Sequence, residues 1–456
     1  MLKQKLLFLS LLILFQAVAC TSQGQNLSRS QTDGSSLFLA LFGKRTLSSQ
    51  QLILEEIEQS WNSSYELMAL ETIYLLRDYQ LTSELMALLS KKTGKFYGVD
   101  FDKWYDYIWN KEAHIPKEYA DFKALLYKRI DPRFEKYFAG RQSSSLIRLD
   151  EVRWGGVRQD GIPPLRKPEM ISASQADYLE DDHIVFGIEV NGDLRAYPKR
   201  ILAWHEMFVD EVGGVPVAGV YCTLCGTVIL YKTEHNGVAH ELGTSGFLYR
   251  SNKLMYDKAT QSLWNTLQGS PVLGPLADKG IELEFMSVVT TTWGEWKSRH
   301  PQTQVLSLNT GHQRNYGEGV AYQEYFSTDE LMFTTPFKDR RLKNKQEVLA
   351  LRFGEEQLAI STKFLKKRPI YTDKLGDQDL LVLTDQSGGN RVYDPQGITF
   401  ESYDRASGLV DTRGIKWRLE ESQLIAEDGR KLKRLPYHRA FWFGWLAAFP
   451  ETRLVK

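Results

Sequence analysis

Residues 217–231 read Val-Ala-Gly-Val-Tyr-Cys-Thr-Leu-Cys-Gly-Thr-Val-Ile-Leu-Tyr. An apolar, β-branched run flanks Cys222-Thr223-Leu224-Cys225-Gly226 on each side. Runs of that kind predict two strands, and the glycine allows a tight turn between them. The chain holds three cysteines, and the third, Cys20, falls in an N-terminal targeting segment. One C-x-x-C pair on a predicted hairpin therefore remains in the folded part. Such a pair closes a disulfide, runs thiol exchange or holds a metal, and spacing alone does not separate the three.

The compartment follows from the first twenty residues. Lys3 and Lys5 form a short basic head, and residues 6–19 are almost wholly apolar but too short for a good membrane span. Ala17-Val18-Ala19-Cys20 resembles a bacterial lipoprotein signal, which implies cleavage before Cys20 and its lipidation, palmitate included. The alternative is an ordinary secretory signal with a chance cysteine. Thr21 and Ser22 follow, and no Asp marks inner-membrane retention. The expectation is a cell-envelope protein on the outer membrane, facing the periplasm and touching the membrane through Cys20. That compartment is oxidising, yet one cysteine pair does not make a disulfide scaffold.

The 456 residues carry 57 basic and 57 acidic side chains, an ordinary globular balance. The length suits two to three domains, and the zero net charge argues against a nucleic-acid partner. Residues 1–20 read as the signal and 21–36, rich in Ser, Gln, Asn and Gly, as a flexible tether. Within 37–138, Leu52, Ile53, Ile57 and Trp61, then Leu67, Leu70, Ile73 and Tyr74, recur at three and four. That spacing predicts an all-α domain of about five helices, which offers a surface for a protein partner. Residues 139–145 form a small polar linker.

Beyond it Gly and Pro become frequent and strand-like runs dominate, so the fold class is multidomain: an all-α domain followed by a β-rich α+β domain. The β-rich part reads as duplicated, 146–310 and 311–456. Residues 185–226 align without a gap on 348–389, and Trp296, Pro301 and Thr303 fall on Trp445, Pro450 and Thr452. In that alignment Cys222 meets Asp385, Cys225 meets Gly388 and His205 meets Arg368. The second copy lacks all three candidate ligands together, which favours function for the first-copy set.

His205 stands on a predicted short helix after Pro198, seventeen positions before Cys222. Two thiolates and an imidazole suit copper or zinc, so His205, Cys222 and Cys225 are the candidate metal ligands. Met207 and Met255 can supply a thioether, with core filling as the default. Tyr249, Ser251 and Asn252, alternating along a predicted strand, are candidates to line a cleft and bind a cofactor. Arg250 between them suits an anionic group or a salt bridge. Ser245 lacks the full G-x-S-x-G elbow and reads as a turn serine. His438 can complete the site from the second copy or pack at a helix start. His114, His183, His235, His240, His300 and His312 read as loop or surface residues.

Three functions remain open. The first is a lipid-anchored protein that binds a soft metal through His205 and the C-x-x-C pair. The second is a non-enzymatic interaction lipoprotein with a structural disulfide. The third is a thiol-disulfide oxidoreductase, for which no helix N-terminus is evident to lower the thiol pKa. Whether the protein is an enzyme stays open.

From residue 149 to 455 the chain resembles a bacterial domain-of-unknown-function family, the one numbered 3179. The resemblance rests on Trp154-Gly155-Gly156-Val157, Asp160-Gly161-Ile162-Pro163-Pro164, Arg195-Ala196-Tyr197-Pro198 and Trp204-His205-Glu206. It continues through Tyr221-Cys222-Thr223-Leu224-Cys225-Gly226, residues 245–252 (Ser-Gly-Phe-Leu-Tyr-Arg-Ser-Asn), Ser262-Leu263-Trp264 and Phe441-Trp442-Phe443-Gly444-Trp445. It implies a secreted bacterial protein and brings no activity, substrate or cofactor.

Overall fold

The N-terminal helices form where apolar residues recur with helical period and polar caps end the run. The structure is a computed structural model that describes residues 34–43, 46–111, 115–405 and 408–456. The signal segment, Cys20, His114 and most of the tether stretch lie outside the described residues. Among the described residues the N-terminal part holds α1 (Gly34–Ala40), α2 (Leu47–Gln59), α3 (Tyr65–Leu75), α4 (Tyr79–Thr93), α5 (Phe101–Trp109), α6 (Tyr119–Tyr127) and α7 (Glu135–Phe138). These are two more than the periodicity predicts. α4 shows the logic at both ends. Asp78 accepts from the Leu81 N–H at 3.1 Å, and Gly94 stops the helix at φ 68°.

The helices share their core with a five-stranded antiparallel sheet made of Val152–Trp154, Leu242–Tyr249, Asn252–Asp257, Leu263–Asn265 and Ser270–Leu273. Phe247 of that sheet inserts among Tyr127, Phe134 and Phe138, with ring centroids 4.8–5.1 Å apart. Buried Lys123 ties α6 to both sides: its Nζ donates to Glu71 Oε1 at 2.5 Å and to the Val152 carbonyl at 2.8 Å. The polar residues 139–145 lead straight into this packing, where the Leu146 N–H bonds the Val272 carbonyl. Residues 34–456 accordingly form one compact unit.

A nine-stranded sheet, counted among the described residues, is the backbone of the β-rich part. Its middle is the hairpin predicted at 217–231: Val215–Cys222 pairs antiparallel with Thr227–Lys232. Most of both strands is buried, which explains the continuous apolar run. The next strand, His438–Phe441, comes from the C-terminal end of the chain and joins at Arg439 opposite Val228. Glu347–Phe353, Glu356–Ser361 and Arg453–Val455 extend the sheet, so it holds strands from both sides of residue 310.

Two stretches of this region follow one connection pattern. Ile184–Val190 pairs with Asp193–Pro198, and α8 (Lys199–His205) follows. Later Val289–Thr292 returns antiparallel to the first strand, α9 (Trp293–Arg299) follows, and Gln304–Leu306 lies parallel to the second. A small helix, α10 (Gln323–Ser327), lies in the connection. Glu347–Phe353 then pairs with Glu356–Ser361, and α11 (Thr362–Lys367) follows. His438–Phe441, α12 (Trp442–Ala448) and Arg453–Val455 complete the pattern with the same two pairings. The indole of Trp296 donates to Thr303 and that of Trp445 to Thr452, each at 3.0 Å.

Candidate functional site

The C-x-x-C turn sits at the tip of the central hairpin. Cys222 ends one strand and stands opposite Thr227, which opens the next. Gly226 takes φ 60°, a left-handed conformation that favours glycine. The two sulfurs are bonded to each other, with their Cα atoms 5.6 Å apart, and both residues are buried. The C-terminal end of the chain holds this turn in place. The Phe441 N–H donates to the Cys225 carbonyl at 2.8 Å. Gly444 of α12 lies so close that a Cβ there would stand 2.7 Å from the Cys225 Cβ.

Glu206 links the turn to the sheet beside it. α8 ends at Glu206 in the left-handed region, φ 55°, and the Glu206 N–H closes the helix on the Leu202 carbonyl at 2.7 Å. Both of its carboxylate oxygens take part. Oε1 accepts from Thr223 Oγ1 at 2.6 Å and from the Tyr322 hydroxyl at 3.2 Å, and Oε2 accepts from Lys253 Nζ at 3.1 Å. Thr223 is one of the two residues between the cysteines, so the contact reaches the motif itself. The Glu206 and Lys253 side chains are 9% and 6% exposed. Burial pulls the Lys253 ammonium below the ordinary lysine range, and Glu206 opposes that shift. Cys222, Leu224, Glu206, Lys253, Tyr322 and Met332 line a cavity of about 60 Å³.

A strap of chain covers the turn. Tyr322 precedes α10 at φ 57°, and the Tyr325 hydroxyl donates to the Leu224 carbonyl at 2.7 Å. Phe333 joins Tyr325 in the apolar cluster around both cysteines. Lys345 donates to the Tyr325 carbonyl and stacks its ammonium 3.4 Å from that ring.

His205 takes other partners. Its Nδ1 is 2.9 Å from the Pro163 carbonyl, which can only accept, so Nδ1 carries the proton. Nε2 then accepts from the Tyr316 hydroxyl at 2.6 Å, and that oxygen lies 2.6 Å from Thr310 Oγ1. Burial pushes the imidazole pKa down to about 4. Both ring nitrogens are thus engaged away from the sulfurs. Among the described residues, no three His, Cys, Asp or Glu side chains gather as a group able to hold a metal ion.

The expected cleft residues are placed differently from a run along one strand. Tyr249 ends a strand, Asn252 begins the next, and Arg250 (φ 49°) with Ser251 (φ 63°) makes the two-residue turn between them. Tyr249 packs in the helical core. Arg250 pairs with Glu151 at 2.5 Å and donates to the Ala447 carbonyl at 3.2 Å. Asn252 donates to the Gly444 carbonyl at 3.0 Å, bracing α12 where it meets Cys225. Tyr249, Ser251 and Asn252 do not line the cavity. Met207 and Met255 are core residues. Ser245 lies in a strand at a register shift, donating to the Leu254 carbonyl at 2.6 Å. His438 is buried against Phe285 and Trp445, and burial pushes its pKa down to about 3. His240 is buried rather than at the surface, with Nδ1 3.2 Å from Asp257.

The matched stretch, residues 159–452, includes the hairpin, the Glu206–Lys253 pair and α12. This chain belongs to the DUF3179 family, described as a protein of unknown function. No curated protein and no solved structure matches it. The DUF3179 assignment supplies no activity, so the chemistry rests on the side chains. Sequence reasoning does not single out three of those, Thr223, Lys253 and Tyr322, nor Gly444 as a contact of Cys225. Glu206 was noticed only as a neighbour of His205. For Lys253 one signal exists, a lone cation in a run that is otherwise Leu254-Met255-Tyr256.

Proposed function

We propose that this protein is a periplasm-facing thiol-disulfide exchange protein whose redox centre is Cys222–Cys225. The observation that carries the reading is that the bonded Cys222 lines a cavity together with a buried carboxylate and a buried lysine. A partner thiolate attacks the Cys222 sulfur, the S–S bond breaks, and Cys225 leaves as a thiolate. A second partner thiol then displaces Cys222. The partner dithiol is oxidised to a disulfide, and the protein pair gains the two electrons and two protons. The metal reading is not carried forward, because both sulfurs are bonded to each other and both His205 nitrogens are engaged elsewhere.

The test is reduction of the native protein with dithiothreitol, counting thiols and bound metals on one sample. Two thiols gained reversibly, with the fold intact, support exchange. Thiols that appear only on unfolding would sink it and leave a structural bond. One copper or zinc per chain, lost in both His205→Ala and Cys222→Ser, would restore the metal site.

Two further readings belong here. Lipid anchoring through Cys20 is supported by the basic head, the apolar stretch and the Ala17-Val18-Ala19-Cys20 end. Labelled palmitate retained in the parent and lost in Cys20→Ser is the check. Duplication of 146–310 and 311–456 is supported by the sequence offsets and by the repeated pairing pattern with its two Trp–Thr bonds.

A further inference from the structure

The Glu206–Lys253 pair needs an explanation that packing does not supply. Burying two charges loses hydration that even good pairing repays poorly, and apolar residues of like volume commonly do as well. Here the pair sits where apolar packing was available. Leu224, Leu248 and Phe247 line the same cavity. Its hydrogen bonds lead to the redox motif on one side, through Thr223, and to the covering strap on the other, through Tyr322. Cys222 rather than Cys225 lines that cavity, because Cys225 is seated on Gly444. Of the two cysteines, Cys222 is therefore the one that shares a cavity with the pair.

We propose that Glu206 and Lys253 form a proton relay for Cys222, an inference that rests on the exchange reading above. In the reduced protein the Cys222 thiol gives its proton to the Glu206 carboxylate. The Lys253 ammonium offsets the thiolate that remains. That thiolate attacks a partner disulfide and forms a mixed disulfide. The sulfur expelled from the partner takes the proton from Glu206, so thiol and disulfide exchange with no net proton change. Other ionisable groups around the pair are Tyr322 before α10, Tyr221 ahead of Cys222, and Asp160 near Lys253. Asp160 is itself held by the Tyr256 hydroxyl at 2.5 Å and the Thr244 N–H at 3.1 Å.

The experiment measures iodoacetamide alkylation of Cys222 against pH in a full-length Cys225→Ser parent, where no second thiol of the turn titrates beside it, read by mass spectrometry on the Cys222 peptide. The parent is expected to titrate in two steps, because Cys222 and the pair share protons. Lys253→Met removes the offsetting charge and raises the midpoint by about one pH unit, a tenfold loss of thiolate on the acid side. Glu206→Gln removes the opposing charge and lowers the midpoint by a similar amount. The uncharged double variant titrates in a single step near an ordinary thiol. Midpoints unchanged across all variants, with only melting temperature lowered, would overturn the relay and leave the exchange reading standing. A Cys222–Cys225 bond that, in the unsubstituted protein, resists dithiothreitol until unfolding would overturn both. Should a single variant fail to fold, the double variant decides: a retained second step overturns the relay.

Discussion

Reducing Cys222–Cys225 in the folded protein should cost little stability. The bond joins residues three apart, so the closed loop holds four residues. Chain-entropy arithmetic, −2.1 − 1.5R ln n with n about 4, gives roughly −6 cal/mol/K, or about 2 kcal/mol at 25 °C. A bond closing ~100 residues would be worth about 4.7 kcal/mol by the same relation. The native turn lowers the figure further, because other bonds already hold it. The Phe441 N–H grips the Cys225 carbonyl, Tyr325 grips the Leu224 carbonyl, and Thr223 bonds Glu206. The assay is urea unfolding with and without dithiothreitol, comparing midpoints at equal slope. Reduction is preferable to substitution, since Cys→Ala would add a packing cost at two buried positions. A loss of at most about 2 kcal/mol is expected. A loss above about 4 kcal/mol, or unfolding on reduction, would refute the reasoning, because the bond would then be doing a staple's work.

Three other outcomes are expected. Gly444→Ala places a Cβ 2.7 Å from that of Cys225 and should cost about 1–3 kcal/mol in urea unfolding. Tyr325→Phe removes the hydrogen bond to Leu224, worth about 0.5–1.5 kcal/mol, and should speed dithiothreitol reduction up to about tenfold; an unchanged rate would show that access does not pass through α10. His205 has a folded pKa of about 4 against 6.5, so its neutral form stabilises the fold fully above 6.5. That contribution is lost as pH falls from 6.5 towards 4, by about 2 kcal/mol at pH ~5, and His205→Gln should flatten that part of the stability-pH curve.

The hairpin was legible because both strands are buried and written in β-branched residues, with a glycine where the turn needs φ 60°. α8 after Pro198 was legible from proline's fixed geometry, as were α9 and α12 from helical aromatics ending before Pro301 and Pro450. The partners of those elements were not. Lys253 lies in a strand buried throughout, so no alternation marks which residues meet the cavity. Glu206 follows His205 directly, yet the left-handed turn at Glu206 gives the two side chains different partners. Tyr249 to Asn252 read as one strand because each residue tolerates extended backbone, and only the pairing of Tyr249 with Asn252 reveals the turn. The oxidation state of the cysteines has no sequence signature, since the same spacing serves metal, thiol and disulfide.

The turn aligned with the C-x-x-C in the second half bears on whether the bond is structural. Residues 385–389 connect Gln378–Thr384 to Asn390–Tyr393, as residues 223–226 connect the central hairpin. There Asp385 does the holding. Its Oδ1 accepts from the Gly389 N–H and from Ser387 Oγ at 2.7 Å each, and its Oδ2 pairs with buried Arg391 at 2.8 Å. Each turn is also met by the strand that precedes a helix in the other half. Phe441 reaches Cys225, and Thr291 Oγ1 lies 2.7 Å from Ser387 Oγ. A hairpin tip in this setting can therefore be held by hydrogen bonds and a cross-half contact with no sulfur. The first turn has comparable supports from Phe441, Tyr325 and Glu206, and carries the disulfide in addition. A bond that is surplus to holding its turn, and that shares a cavity with a buried carboxylate and a buried lysine, fits the exchange proposed above better than a role confined to stability.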